Sequence, residues 1–390
     1  ERTIQVPFAY QTPLSGIHDT TIQETVWYRR HFDVPAPLQG RRLLLHFEAV
    51  DYEAHVSLNG RYLGCHKGGY TGFCFDITGC VRDNDNELIV KAIDLCDTDQ
   101  PRGKQFWQEQ TNRCWYHGTT GIWQSVWLEA VGQNRIKAVK MTPDIDNSVL
   151  ETELYLEEFD PVLQVHITAV YNGQTVKDML VRPSNKHCRI SINLLEDDFI
   201  DEIHYWSPEC PNLYDITFAL EKNGEVVDRV ESYFGMRKIG VDNGRVMLNN
   251  RPYYLKMILD QGYWADGGLT APSDEALVHD IEMTKQYGFN GARKHQKVEE
   301  ARYYYWADKL GLLVWGEVPS AYQYNDNEVK NIFRDFTEFL SRDYNHPCIV
   351  AWVPLNESWG VRKMLTSTTQ QSFGRALYHY AKTMDPMRLL

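Results

Sequence analysis

The chain has 390 residues, more than one ordinary domain holds, and 43% of them are hydrophobic, which excludes a disordered protein. Forty basic residues against 53 acidic ones give a net charge of −13, and no Lys/Arg cluster occurs, so nucleic acid is excluded as the expected partner. No apolar run approaches the roughly 20 residues of a membrane span. The eight cysteines form no C-x-x-C pair, which argues against a zinc or dithiol site, and cytoplasmic location is the default expectation.

Residues 1 to about 132 have the pattern of an antiparallel β-sandwich. Short alternating or apolar runs are separated by turns, and the clearest turn is Asn59-Gly60, a pair that supplies the positive φ angles of a tight hairpin. We expect a jelly roll here. Its predicted strands cover residues 25–32, 42–50, 53–58, 61–64, 87–92 and 124–129.

Residues 133 to 238 predict a second β-sandwich. Short strands alternate with turns such as Asn172-Gly173 and Asn223-Gly224. The length fits one immunoglobulin-like sandwich of seven strands.

From residue 239 the pattern changes to strands that alternate with helices, which indicates a parallel sheet. Ser273 is the predicted cap of the first helix, and Gly288 is its predicted end. The other three helices are predicted at 298–310, around the apolar face from Val329 to Leu340, and at 368–384. Predicted strands cover residues 254–258, 290–293, 312–315 and 349–353.

Four strand–helix units are half of a (β/α)8 TIM barrel. Half a barrel would leave two open parallel edges, which is an aggregation hazard. We therefore expect the chain to be a fragment of a longer protein. The alternative is that the missing half comes from another source.

The pair Asn356-Glu357 directly follows the apolar run 349–353, and it is the strongest candidate site. In a barrel of alternating strands and helices, chemistry takes place at the carboxyl ends of the strands. A glutamate at that position can act as a general acid, and an adjacent asparagine can hold a substrate hydroxyl.

Several motifs resemble those of glycoside hydrolase family 2, in the same order along nearly the whole chain. The most specific is Arg342-Asp343-Tyr344-Asn345-His346-Pro347 followed by Asn356-Glu357-Ser358. The others are Thr119-Thr120-Gly121-Ile122-Trp123, Trp206-Ser207-Pro208-Glu209, Phe234-Gly235-Met236-Arg237, Leu248-Asn249-Asn250-Arg251-Pro252 and Gly288-Phe289-Asn290-Gly291-Ala292-Arg293. The resemblance implies a retaining glycosidase in which Glu357 is the acid/base and Asn356 binds the sugar hydroxyl next to the anomeric carbon.

The resemblance also implies substrate contacts from Arg293, His295, Asp260, Trp264 and Glu317. Two of these have a structural alternative: Arg293 as part of an ion pair inside the barrel, and Trp264 as a core residue. Glu317 is expected to bind substrate or support other residues, because the family does not place its nucleophile there.

Lys294 stands where family members often carry serine. Its charge could favour an acidic sugar, but adjacent side chains of a strand point to opposite faces.

The family's nucleophile, a glutamate near the end of strand seven, has no counterpart in these residues. Galactose is the first expected sugar and glucuronic acid the second, although Trp115-Tyr116-His117-Gly118 lacks the aspartate that some β-galactosidases carry in this loop. A carbohydrate-binding protein without catalysis and a scaffold that only uses the fold are the alternatives. No cofactor and no metal site are expected, and the resemblance is compatible with a homo-oligomer.

Overall fold

The computed structural model describes residues 1–195 and 202–390, which form 23 β-strands and four α-helices. The first nine strands form a sandwich in which the sheet β1-β7-β4-β5 faces the sheet β6-β2-β9, with a short β3-β8 pair beside them. These strands are β1 (Thr25–Phe32), β2 (Arg42–Phe47), β3 (Val50–Asp51), β4 (Glu53–Leu58), β5 (Arg61–Lys67), β6 (Phe73–Asp76), β7 (Asn86–Ile93), β8 (Gly121–Ile122) and β9 (Val126–Val131).

Seven strands form the second sandwich, as predicted. The three-stranded sheet β10-β11-β14 packs on the four-stranded sheet β13-β12-β15-β16, and one apolar core lies between them. Its strands are β10 (Ile136–Asp144), β11 (Val149–Leu156), β12 (Leu163–Tyr171), β13 (Gln174–Val181), β14 (His187–Asn193), β15 (Tyr214–Lys222) and β16 (Glu225–Phe234).

The predicted Asn-Gly turns are confirmed. Asn59 and Gly60 have φ angles of 51° and 79° between β4 and β5. The same pair of left-handed residues joins β12 to β13 at Asn172-Gly173 and β15 to β16 at Asn223-Gly224. Two consecutive positive φ angles match the right-handed twist of the flanking strands, which is why this dipeptide marks the hairpins in the sequence.

A small antiparallel sheet, β17 (Ile239–Asp242), β18 (Arg245–Leu248) and β19 (Arg251–Pro252), leads into the α/β part. There the strands form a parallel sheet in the order β20-β21-β22-β23, with helices between and after them. The elements are β20 (Met257–Asp260), α1 (Asp274–Gln286), β21 (Gly291–Lys294), α2 (Ala301–Leu310), β22 (Leu313–Glu317), α3 (Asp326–Asp343), β23 (Ile349–Val353) and α4 (Thr368–Met384).

Several predicted elements agree with the structure. The bounds of β23 and α4 are those predicted, and the Ser273 hydroxyl accepts a hydrogen bond from Ala276 N as the predicted N-cap of α1. Gly288 has a φ of +85° just beyond the helix end, as a helix-terminating glycine does.

Two predicted starts in the α/β part are three residues too early. The first strand begins at Met257 rather than 254, because the Asn290 side chain forms hydrogen bonds with the backbone of the preceding residues. It donates to Tyr254 O and accepts from Lys256 N. Helix α2 begins at Ala301 rather than 298, because Glu300 N donates to the Glu299 side chain while Glu300 itself has an extended backbone.

Strands β20 and β23 are the outer strands of the parallel sheet, and each has one partner within it. That these four units are half of an eight-unit barrel stays a prediction. None of the helices in residues 1–195 and 202–390 is long and apolar enough to cross a membrane.

Candidate active site

Asn356 and Glu357 lie in a tight turn directly after β23. The turn is closed by a 2.8 Å hydrogen bond from Trp359 N to Asn356 O, and Glu357 and Ser358 both have left-handed φ angles, 47° and 61°. Such angles cost energy in residues other than glycine, and they concentrate at functional sites. The turn leaves the Glu357 side chain exposed at the carboxyl end of the sheet, while Asn356 is buried.

The Asn356 amide is oriented from one side only. Its Oδ1 accepts a 2.6 Å hydrogen bond from Arg293 Nη2. Its Nδ2 is buried and has no hydrogen-bond partner in the described part of the chain. Because buried N–H groups are nearly always satisfied, this unpaired donor makes the Asn356 amide a candidate ligand-binding group.

Glu317, at the end of β22, organises the polar interior of the sheet's carboxyl edge. Its carboxylate is fully buried and accepts from Arg293 Nε at 2.7 Å and from the backbone N of Gln296 at 2.9 Å. His295 Nδ1 lies 3.3 Å from the same carboxylate without the angle of a hydrogen bond. Arg293 is therefore in an ion pair inside the sheet's carboxyl edge and at the same time contacts Asn356.

The Lys294 side chain takes part in a different, buried ion cluster. Its Nζ lies 2.7 Å from both Asp260 Oδ2 and Glu299 Oε2, and 4.1 Å from the centre of the Tyr303 ring. Although burial opposes it, these two carboxylates raise the pKa of Lys294 well above its usual value. Arg293 and Lys294 point to opposite faces of β21, as neighbours on a strand do.

Asp260 and Trp264 do not join the group formed by Arg293, Glu317 and Asn356. The Asp260 carboxylate is bound by Lys294 and by Gly262 N at 2.8 Å. Trp264 is half-buried against the core and exchanges backbone hydrogen bonds with Gly268. In the described residues, neither side chain makes a hydrogen bond or ring contact with Asn356 or Glu357.

Aromatic rings from the first sandwich and from the sheet's carboxyl edge meet beside this turn. We call Trp107, Trp115, Tyr322 and Trp359 the aromatic platform. The Trp115 and Trp359 rings stack with centroids 5.8 Å apart, and Tyr322 lies 5.2 Å from Trp359 and 4.7 Å from Trp107. Trp115 Nε1 also donates to Tyr322 Oη at 2.8 Å.

The loop between β7 and β8 contributes Trp107 and Trp115 to this platform, and it packs against the segment after β22. Arg102 N and Gly103 N both donate to Ser320 O, at 3.1 and 3.0 Å. Gly103 has a φ of +59°, and a Cβ on it would lie 2.0 Å from Gln296 O, so only glycine fits this contact. Sequence analysis singled out Trp115 but not its partners. The signal that could have found them is the density of aromatics in 106–116 and 322–324.

Residues 1–195 and 202–390 contain no group of three or more His, Cys, Asp or Glu side chains arranged to hold a metal ion. The side chains at this edge offer an exposed carboxyl group, an oriented amide and aromatic faces.

Three sequence models of one family match nearly the whole chain. The sugar binding domain of glycosyl hydrolases family 2 matches residues 1–130, a second family 2 domain matches 134–237, and the family 2 TIM barrel domain matches 239–390. The chain belongs to glycosyl hydrolase family 2.

Two curated relatives are β-galactosidases. That of Thermoanaerobacter pseudethanolicus is 29% identical over 375 residues, covering 91% of this chain and 48% of the relative. That of Vibrio vulnificus is 25% identical over 361 residues, covering 88% of this chain and 33% of the relative. The chain thus spans between a third and a half of the length of these family 2 relatives.

Solved structures share the fold. An FMN-binding β-glucuronidase from Facaelibacterium prausnitzii L2-6 superposes with a TM-score of 0.81 at 23% identity, covering 99% of this chain and 59% of that one. A β-glucuronidase from Bifidobacterium dentium, complexed with coumarin-3-O-glucuronide, gives 0.79 at 20% identity, covering 98% and 67%. At these identities the likeness extends to the fold.

Proposed function

We propose that this chain carries the acid/base half of a retaining glycosidase that removes terminal, non-reducing β-linked sugars, with galactose as the first expected sugar. The observation that carries the proposal is the pair Asn356-Glu357 at the carboxyl end of β23. There the carboxyl group is exposed, and the buried amide next to it is held by Arg293, while its N–H donors have no partner among the residues that the structure describes.

The roles follow from the chemistry of glycosidic bonds. In a retaining enzyme one carboxyl group protonates the leaving oxygen, the other attacks the anomeric carbon, and water then releases the sugar. We assign Glu357 to the first role: it gives its proton to the leaving oxygen and later takes one from water. Asn356 Nδ2 donates to the hydroxyl next to the anomeric carbon, and Arg293 holds the amide in that orientation.

Glu317 is unsuited to be the nucleophile. It is fully buried, and its two oxygens already bind Arg293 and the backbone of Gln296. Its proposed role is to position Arg293 and, through it, Asn356. His295 lies against the same carboxylate and is proposed to face the substrate.

We propose that the nucleophile comes from a part of the barrel outside these 390 residues. The support is that the curated relatives are two to three times longer than the matched region. The four parallel units then represent half of a (β/α)8 barrel, and β20 and β23 are the strands on which the other half would continue.

The charge of Lys294 bears on whether the bound sugar is neutral or acidic. Lys294 was the feature that favoured an acidic sugar, and its ammonium is neutralised by Asp260 and Glu299. This supports a neutral sugar, as do the β-galactosidase relatives. β-Glucuronidase is the second candidate, favoured by a putative β-glucuronidase of Formosa agariphila among the curated relatives and by the named activity of two solved structures with this fold.

A panel of nitrophenyl β-glycosides tests the proposal: galactoside, glucuronide, mannoside and glucoside, offered to the full-length protein and to the 390-residue chain. We expect turnover by the full-length protein on the galactoside, abolished by Glu357→Gln. Silence of the full-length protein on the whole panel would favour a carbohydrate-binding protein without catalysis. Turnover by the 390-residue chain would show that the nucleophile is within it.

A further inference from the structure

Lys104 is a largely buried lysine whose ammonium has no carboxylate partner among the described residues. Its side chain lies in the loop between β7 and β8, and the residue is only 5% exposed. Its ammonium lies 4.6 Å from the centre of the Trp359 ring. In residues 1–195 and 202–390 this ammonium forms no ion pair and no hydrogen bond to a side chain. Buried lysines are otherwise nearly always paired, because desolvating an ammonium is costly.

Two other buried lysines of this chain show the usual arrangement. Lys297 Nζ lies 2.6 Å from Glu299 Oε1 and donates to two backbone carbonyls, and Lys294 binds Asp260 and Glu299. Lys104 differs from both, because within residues 1–195 and 202–390 its ammonium has only the face of an aromatic ring as a neighbouring partner. A ring face attracts the charge but does not satisfy the three N–H donors of an ammonium.

The position of Lys104 links it to the acid/base turn. Trp359, on which its ammonium rests, is the residue whose N–H closes the turn that holds Glu357. Trp115 and Tyr322 stack around the same tryptophan. The acid of a glycosidase meets the leaving-group oxygen, which places side chains beside the acid's turn near the leaving group.

We propose that Lys104 and the aromatic platform form a subsite for the leaving group, and that this subsite takes a ring-shaped group that carries a negative charge. The ring lies on the platform, and its carboxylate or sulfate binds the Lys104 ammonium. The identification of the bound ring as the leaving group rests on the proposed function. The binding of an anionic ring does not depend on turnover. A sugar unit bearing sulfate or carboxylate fits this chemistry, since its ring faces are apolar and its substituent is anionic.

Fluorescence titration of the full-length protein tests the subsite, because three of the platform's four rings are tryptophans. The probes are naphthalene sulfonate, naphthoate and the neutral naphthol, which share a ring and differ in charge. We compare the wild-type chain with Lys104→Met, which keeps the length of the side chain but removes its charge, and with Lys104→Arg, which keeps the charge. The matched control is Lys91→Met, since the Lys91 ammonium lies 5.5 Å from the Trp27 ring on the sandwich surface.

The subsite predicts that Lys104→Met weakens binding of an anionic probe by about tenfold or more, the loss expected for a charge-assisted contact. Naphthol affinity should change by less than about threefold, and Lys104→Arg and Lys91→Met should bind the anions like the wild type. A preference for the sulfonate over the carboxylate, or the reverse, identifies the anionic group. Circular dichroism confirms that each variant is folded.

The inference is overturned if Lys104→Met binds all three probes as the wild type does, if it loses naphthol equally, or if the wild-type chain binds none of them. These outcomes are independent of the glycoside panel. Charge-dependent binding without turnover would contradict the proposed function and leave the subsite standing. Turnover by the full-length protein together with charge-independent binding would support the proposed function and contradict the subsite.

Discussion

Arg293 Nη2 donates a 2.6 Å hydrogen bond to Asn356 Oδ1, joining the end of β21 to the residue that precedes Glu357. The same guanidinium donates through Nε to the buried Glu317. One planar side chain thus connects three neighbouring strand ends, and it does so with two donors that lysine could not place in the same geometry. The orientation of the Asn356 amide depends on this connection.

Replacing Arg293 with methionine is expected to lower the free energy of unfolding by about 3 kcal/mol, because the Glu317 carboxylate would be left buried and unpaired. Urea unfolding of the 390-residue chain measures this. The control is Arg229→Met, whose ion pair with Glu231 is exposed and should be worth less than about 0.5 kcal/mol. A loss no larger than that of the control would mean that Glu317 finds another partner.

Lys294→Met is expected to destabilise the chain by about 2–3 kcal/mol, since it leaves Asp260 and part of Glu299 without their cation. In the full-length protein it should leave the ratio of galactoside to glucuronide turnover within about twofold, because a neutralised ammonium does not select the substrate's charge. The control is Lys309→Met, whose ammonium lies on the rings of Tyr233 and Tyr305. A large shift in the ratio would place Lys294 in the sugar site.

Glu328, in the first turn of α3, predicts a specific pH dependence of stability. Both its oxygens are buried without a hydrogen-bond partner in the described residues. Burial, and then the charge of Asp99, raise the pKa of Glu328 from 4.5 to about 8. Between these values the folded chain holds a proton that the unfolded chain has released. Stability is therefore lost as the pH rises through this window, by up to about 1.4 kcal/mol per pH unit.

Glu328→Gln removes this titration. We expect it to match the wild type near the lower end of the window and to exceed it in thermal midpoint at its upper end, in scans of the 390-residue chain. Burial raises the pKa of Asp51 to about 8 and the pKa of Asp335 to about 6. Both groups titrate in the wild type and in the variant, so their contributions cancel in the difference in stability between the two proteins. Parallel pH profiles of the two proteins would show that the Glu328 carboxyl is ionised in the fold.

The sequence predicted best where structure is decided locally. The Asn-Gly hairpins, the Ser273 cap and the buried strand Ile349–Val353 depend on short-range chemistry, and all are confirmed. The start of β20 was wrong because Asn290, more than thirty residues away, bonds to the backbone there through its side chain. Hydrophobic periodicity does not reveal that a side chain distant in sequence takes the hydrogen bonds that a neighbouring strand would make.

The candidate site was predicted in part for the same reason. Strand-end placement brings Arg293, Glu317 and Asn356 together, as expected of neighbouring parallel strands. Asp260 was predicted in the same site, yet it binds Lys294, because which acid a buried lysine meets is set by tertiary packing. Lys104 gave no signal, since its position depends on a loop from another domain that docks through Gly103.

The most direct test of Glu357 as the acid/base is the dependence of the Glu357→Gln variant on the leaving group. In the full-length protein, using the sugar that the panel identifies, we compare a dinitrophenyl glycoside, which leaves without a proton, with a disaccharide, which requires one. We predict that kcat/KM for the disaccharide falls by about a thousandfold and that formation of the glycosyl-enzyme from the dinitrophenyl glycoside falls by less than about tenfold. An equal fall for both substrates would contradict the assignment of Glu357 as the acid.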